Sequence, residues 1–135
     1  MKRFFSTRYS ETWFSLGLFI LRAFGGGLLL PHGLDKMNKF GEMAPTFMDP
    51  FGIGPSVSLA LLIFAEFFCS IFLILGLFTR LACIPLIIAM VVALFIAHKG
   101  HIFTDGEHAA LYLGIYVTLL FTGPGKFSID KVIGK

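Results

Sequence analysis

Charge is what this chain has least of. Only 14% of its 135 residues are Asp, Glu, Lys or Arg, against 56% hydrophobic residues and a mean hydropathy of +0.85. Soluble domains carry roughly 25% charged residues. The shortfall excludes an ordinary soluble enzyme and indicates an integral membrane protein. The length leaves room for one domain, residues 1–135, and none for a separate soluble catalytic domain. Cysteine is scarce as well. Cys69 and Cys83 both fall in apolar runs without a C-x-x-C, which excludes a thioredoxin-like motif and a zinc knuckle. They read as small core residues. No G-x-S-x-G, P-loop, dinucleotide fingerprint or H-E-x-x-H occurs. A nucleic-acid partner is excluded by the lack of a basic patch with interleaved aromatics. No internal repeat or low-complexity stretch is evident.

What is present is a set of apolar runs. Helices are expected at about residues 13–31, 53–78, 81–98 and 105–122, each near the length that crosses a bilayer. The first run follows Met1-Lys2-Arg3, as a signal peptide would, but it outlasts an h-region, contains Arg22 and ends in Pro31-His32-Gly33 instead of a cleavage site. Gly54-Pro55 opens the second run, and the Thr79-Arg80 link makes the second and third an antiparallel hairpin. The fourth reaches a useful length only if it starts at a capping box, Thr104-x-x-Glu107; Gly123-Pro124-Gly125 ends it. Lys2, Arg3, Arg8, Arg80, Lys126, Lys131 and Lys135 fall on one side; Lys36, Lys39 and Lys99 fall on the other. The bias puts both termini in the cytoplasm. The fold expected is all-α: a membrane bundle of four transmembrane helices, up-down-up-down. In its first outer loop, Met37, Phe40, Met43, Phe47 and Phe51 recur at roughly helical spacing. They read either as a short interfacial amphipathic segment or as a loop resting on the bundle.

Charges inside the apolar runs are the informative ones. An arginine at the centre of a membrane helix costs roughly 2.5–3.5 kcal/mol, so Arg22 calls for a partner. Glu66, near the middle of the second run, is the partner expected from helix heights and from the small and polar residues sharing its face. The pair reads equally as a brace that fixes helix register or as the lining of a polar ligand site. At the outer end His32, Asp35, Lys36, His98, Lys99, His101, Asp105, Glu107 and His108 gather, and His108, Tyr112 and Tyr116 form an i, i+4, i+8 stripe. Three readings fit this cluster: interfacial polar residues with a helix cap, a head-group site for an amphipathic molecule, or a metal or haem site. No spacing matches a known ligand set, so no metal site is assigned.

Taken in order, several motifs resemble those of the DoxX family of small four-helix membrane proteins. They are Arg22, the step Pro31-His32-Gly33-Leu34-Asp35-Lys36, Glu66, and Leu75-Gly76-Leu77-Phe78-Thr79-Arg80. His98, the Glu107–Leu111 opening and the tail Gly123-Pro124-Gly125-Lys126-Phe127-Ser128-Ile129-Asp130 complete the set. The resemblance covers nearly the whole chain. It implies similarity to a subunit of thiosulfate:quinone oxidoreductase, and to membrane assemblies that handle oxidative or thiol stress. Without paired cysteines the chain is not a self-sufficient redox enzyme; a bound quinone, less readily a haem, or a redox partner subunit would carry the electrons.

The leading expectation is therefore a bacterial-type inner-membrane protein, a subunit of a quinone-linked, thiosulfate- or thiol-related redox system. Its expected ligand-binding residues are Arg22, Glu66, His32, Lys36, His98, Glu107, His108 and Tyr112. Its expected surroundings are the lipid bilayer, a membrane or peripheral partner subunit and further copies of itself. The alternative is a non-enzymatic packing or assembly subunit whose buried ion pair is structural.

Overall fold

A computed structural model describes residues 6–97, 99, 103 and 106–134. Among the described residues every regular element is helical. Three helical stretches, Glu11–Asn38, Pro55–Leu75 and Thr79–Ile96, are long and apolar enough to cross a membrane; Glu107–Thr122 is apolar but shorter. Large apolar side chains such as Trp13, Phe24, Leu81, Leu111 and Phe121 point outward. A soluble protein would not leave so many uncovered, whereas a lipid-facing surface requires them.

The first stretch comprises α1 (Glu11–Gly27) and α2 (Leu30–Asn38). Ser10 caps α1, its hydroxyl accepting the Trp13 N–H at 3.0 Å. Pro31 does not end the helix as the sequence suggests. Leu28 and Leu29 keep right-handed helical dihedrals, and Pro31 sits in the first turn of α2, where its missing N–H is tolerated. The helix thus runs on to Asn38 and carries His32, Gly33 and Lys36 with it. Beyond it come α3 (Phe40–Met43) and a 3-10 turn at Ala44–Thr46. Met37, Met43 and Phe47 rest on Ala44, Leu59 and Ile63, so this loop lies on the bundle.

The second stretch is α4 (Pro55–Ile63), a π-helical segment Phe64–Cys69 containing Glu66, and α5 (Ser70–Leu75). It ends in a Schellman turn. Gly76 adopts φ +71°, the Leu77 N–H donates to Phe72 O at 2.9 Å, and the Gly76 N–H donates to Leu73 O at 3.1 Å. The third stretch is α6 (Thr79–Val92), with Pro85 inside it, continued by π-helical Ala93–Ala97. After it come α7 (Glu107–Thr122) and α8 (Ile129–Gly134). Antiparallel α1 and α5 pack together, α6 packs on α7, and α1 also touches α7. The core they enclose includes Leu73, Cys83, Leu86, Tyr116 and Leu119, all fully buried; Cys69 and Cys83 are buried free thiols.

Small residues set the register between the first two stretches. A Cβ at Gly26 would lie 2.7 Å from Ser70 O, and one at Gly33 would lie 2.7 Å from Phe67 N and 2.8 Å from Glu66 C. Backbones touch at these points, as small residues permit in membrane bundles. Gly33 is therefore level with Glu66. Arg22 is eleven residues earlier, roughly 16 Å away along the helix at 1.5 Å per residue.

That distance overturns the expected Arg22–Glu66 pair. Arg22 is fully buried, but its Nη1 donates to Leu73 O at 3.3 Å and Ile74 O at 3.1 Å, and its Nη2 donates to Phe127 O. Leu73 and Ile74 hold two of the last carbonyls of α5; Leu73 O already takes the Gly76 N–H, and carbonyls at a helix end keep lone pairs free for further donors. Their partial negative charge suits a guanidinium. The Phe19 ring lies 5.3 Å from Arg22 Cζ. The tail completes the clamp: Asp130 accepts the Phe78 and Thr79 N–H groups at 2.7 and 2.8 Å, and its own N–H donates to Gly76 O at 2.9 Å. The arginine closes one helix end and the tail aspartate opens the next.

Candidate binding site

Glu66 finds a different cation. Lys36 Nζ lies 2.7 Å from Glu66 Oε1, with the Glu66 side chain 7% exposed and that of Lys36 22%. The pair exists because α2 continues past Pro31 and because Gly33, one turn before Lys36, lets α2 touch the backbone at Glu66. The π-helical segment around Glu66 adds a residue to its turn, a distortion common at functional sites.

The pair borders a cavity of about 640 Å³. His32 and Lys36 from α2, Glu66 from the second stretch, and His108 and Tyr112 from α7 all line it. Five of the residues singled out in the sequence thus meet in one place, drawn from three separate stretches of chain. Ser58 adds a hydroxyl, and the remaining walls are apolar, among them Leu29, Leu62, Ala65, Ala89 and Met90. Tyr112 stacks on Tyr116 with ring centroids 6.1 Å apart, and Tyr116 is anchored by its hydroxyl donating to Gly25 O at 2.7 Å.

Two expected site residues, Arg22 and Glu107, do not line it. Arg22 serves the α5 end. Glu107 opens α7 directly after Gly106, outside the cavity, beside Phe103, Ala110 and Leu111. His98 lies outside the described residues, as do His101, Asp105 and Thr104, so the expected capping box does too. Among the described residues no cluster of histidine, cysteine and carboxylate side chains could hold a metal ion.

The loop Phe47–Phe51 covers one end of the cavity, contributing Phe47, Met48, Pro50 and Phe51. Asp49 ties this loop to α4: its carboxylate accepts the Ile53 N–H at 2.9 Å, the Gly54 N–H at 3.0 Å and the Ser58 hydroxyl at 3.1 Å. Desolvation pushes the Asp49 carboxyl up, but the hydrogen bonds from Gly54, Ser58, Ile53 and Gly52 outweigh it and hold it below the ordinary carboxylate value. The sequence offered two overlooked signals. Gly26 and Gly33, two helical turns apart, mark a backbone contact. Asp49, preceding Gly54-Pro55, marks a cap.

Such a cavity, apolar with a few convergent polar groups, is the usual form of a small-molecule site. Its charged pair cancels, so it offers hydrogen bonding without net charge. An amphipathic molecule with a neutral polar head fits both halves.

Comparison with known proteins gives the family. The DoxX family profile matches residues 17–99, more than half of the chain. An uncharacterized membrane protein of Mycobacterium tuberculosis is 30% identical over 131 residues, covering 85% of this chain and 80% of that protein. An uncharacterized protein of Haemophilus influenzae is 41% identical over 69 residues, covering 46% of this chain and 52% of that protein. No solved structure matches. The chain is a multi-pass membrane protein, and it belongs to the DoxX family.

Proposed function

We propose that this protein holds a small amphipathic molecule of the quinone class in the cavity beside Lys36 and Glu66, as the membrane subunit of a redox system. One observation carries the reading: Lys36, Glu66, His32, His108 and Tyr112 converge on a single cavity whose other walls are apolar. Lys36, the two histidines and the Tyr112 hydroxyl supply donors for a ring carbonyl. Glu66 supplies an acceptor for a ring hydroxyl, and among the described residues only Lys36 donates to it. When bound, a quinone would supply two-electron, two-proton chemistry that these side chains lack. Glu66, His32 and His108 are the groups placed to exchange protons with it. The electron donor would be a partner subunit, because the two thiols are buried and unpaired.

The setting proposed is a bacterial-type inner membrane, in line with the bacterial relatives, crossed four times with both termini in the cytoplasm. Mass spectrometry and absorbance of an organic extract from the protein purified in mild detergent test the reading. A near-stoichiometric quinone that is lost from Glu66→Gln is the expected result. An extract holding only bulk phospholipid, identical for both proteins, overturns it.

A second reading, a non-enzymatic packing or assembly subunit, draws on Arg22. Its two terminal nitrogens are engaged by backbone carbonyls at the α5 end and in the tail, a bracing role. Arg22 braces the fold under either reading, so the reading turns on Glu66. Glu66→Gln that leaves the host's quinone-linked activity intact favours the assembly subunit.

A further inference from the structure

The cavity has a side as well as an end. α6 packs against Phe64–Cys69 and α5, and makes no comparable contact with α4. The hairpin is closed near Thr79 and spreads towards Pro55. Pro85, which has no N–H to return to the preceding turn, lies in α6 at the cavity wall. The cavity residues bordering this gap are apolar and face outward: Leu61 is 53% exposed, Phe64 45% and Ile88 50%. Outward-facing apolar side chains on two membrane-length helices meet acyl chains, so the gap opens sideways into the bilayer. Phe51, 60% exposed, also lines the cavity, from the covering loop.

We propose that the ligand enters this cavity from the bilayer between α4 and α6 and carries a single apolar tail, which leaves past Leu61, Phe64 and Ile88 while a neutral head rests at Lys36–Glu66. The inference rests on the amphipath-binding reading and adds the route and the ligand's shape. Electrostatics selects the head. Lys36 and Glu66 neutralise each other at 2.7 Å, so a phosphate head would bring into a site of low dielectric a negative charge with no free cation among the described lining residues to balance it. A hydroxyl-bearing or carbonyl-bearing head meets donors and an acceptor instead. A phospholipid is thereby disfavoured, and so is a water-soluble metabolite, which would leave the apolar walls unmatched.

The test uses the full chain in phosphatidylcholine nanodiscs, with two probes: 2-decylhydroquinone and hydroquinone without a tail. Probe retained above that in empty discs is counted by mass spectrometry. Leu61→Trp/Ile88→Trp fills the gap, Ile88→Phe fills it more gently should the double variant fail to fold, and Val57→Trp, on α4 but outside the cavity lining, is the control. Wild type is expected to retain about one decyl probe per chain and, at equal total concentration, roughly tenfold less of the tailless one. The gap-filling variants should lower decyl retention about fivefold and leave the tailless probe within about twofold, with Val57→Trp unchanged. Glu66→Gln should lower both probes. Decyl retention that depends on Glu66 but ignores the filled gap overturns the sideways route while leaving the binding reading intact. Retention of neither probe, with Glu66→Gln without effect, overturns both. Phosphatidylcholine bound at one per chain and not displaced by the decyl probe also overturns the proposal, in favour of a phospholipid.

Discussion

Lys36 and Glu66 are joined at 2.7 Å across a contact where Gly33 has no side chain to hold the helices apart. Both charges sit largely out of water, so each depends on the other. Removing one partner from a buried pair typically costs about 3 kcal/mol or more, whereas replacing both with apolar residues is often neutral or better. Lys36→Met alone and Glu66→Leu alone should therefore each lower the melting temperature in detergent, and the double variant should recover most of the loss. A double variant that melts at the sum of the single losses would show that the two charges act independently. Ligand retention should not recover with stability, which separates the site from the brace.

Gly33 makes a sharper prediction. A methyl group there would meet the backbone of Glu66 and Phe67, not the end of a flexible side chain, so one helix must move. Gly33→Ala should cost about 1–3 kcal/mol, the usual range for overpacking. It should also loosen the Lys36–Glu66 pair and weaken ligand retention. Gly17, in the middle of α1, has no neighbour within 4 Å of the position a Cβ would take. Gly17→Ala should be neutral or stabilise by about 0.5–1 kcal/mol through helix propensity alone. Thermal melting of the two variants side by side decides it, and similar melting temperatures would remove the close-approach argument.

Much of this was legible in the sequence, for identifiable reasons. Long apolar runs announce membrane helices, and lone polar residues such as Glu66, His32 and Lys36 announce something they must face. What escaped was helix register, which set the wrong partner for Arg22. Pro31 read as a helix end, although a proline in the first turn lets the chain continue. Counting heights from the start of the first run and the end of the second placed Arg22 near Glu66, whereas Arg22 lies level with the end of α5. Ending the first helix at Pro31 left Lys36 outside it. The carbonyls that Arg22 does bind carry no sequence label of their own; only Gly76 marks the helix terminus that exposes them. The partner tail, Phe127 to Asp130, is more than a hundred residues away from Arg22 in sequence.

Arg22 should not tolerate lysine. Its two terminal nitrogens reach three carbonyls, Leu73 O and Ile74 O at the end of α5 and Phe127 O in the tail. A lysine ammonium is a point donor on a different stem and cannot span both groups. Arg22→Lys should cost about 2 kcal/mol, the scale of lost hydrogen bonds to a charged group. Asp130→Ala, which uncaps the Phe78 and Thr79 N–H groups, should cost about 1 kcal/mol. Both losses belong to the end of the bundle that carries the tail, so limited proteolysis should release residues after Gly123 sooner in each variant. Ligand retention, measured below the melting transition, should be unchanged, because neither residue lines the cavity. Loss of ligand from a well-folded Arg22→Lys protein would return Arg22 to the site.

Asp49 gives the covering loop a pH dependence whose sign can be worked out. Its carboxyl is held below the ordinary carboxylate value, so the folded loop binds its proton less readily than the open chain does. The stabilisation is fully present above the unfolded value, about pH 4. It is lost as the pH falls through the lower folded value, where protonation removes acceptors from Ile53, Gly54 and Ser58. The loop should therefore loosen in acid while the helices, whose backbone bonds do not titrate, persist. Amide hydrogen exchange over residues 44–54, corrected for the intrinsic effect of pH, should show protection falling below about pH 4. Asp49→Asn should abolish that fall by losing the protection already at neutral pH. Since Ser58 and Phe51 both line the cavity, ligand exchange should quicken over the same acid range. Protection that is flat with pH in wild type, or that still falls in Asp49→Asn, would place the control of the loop elsewhere.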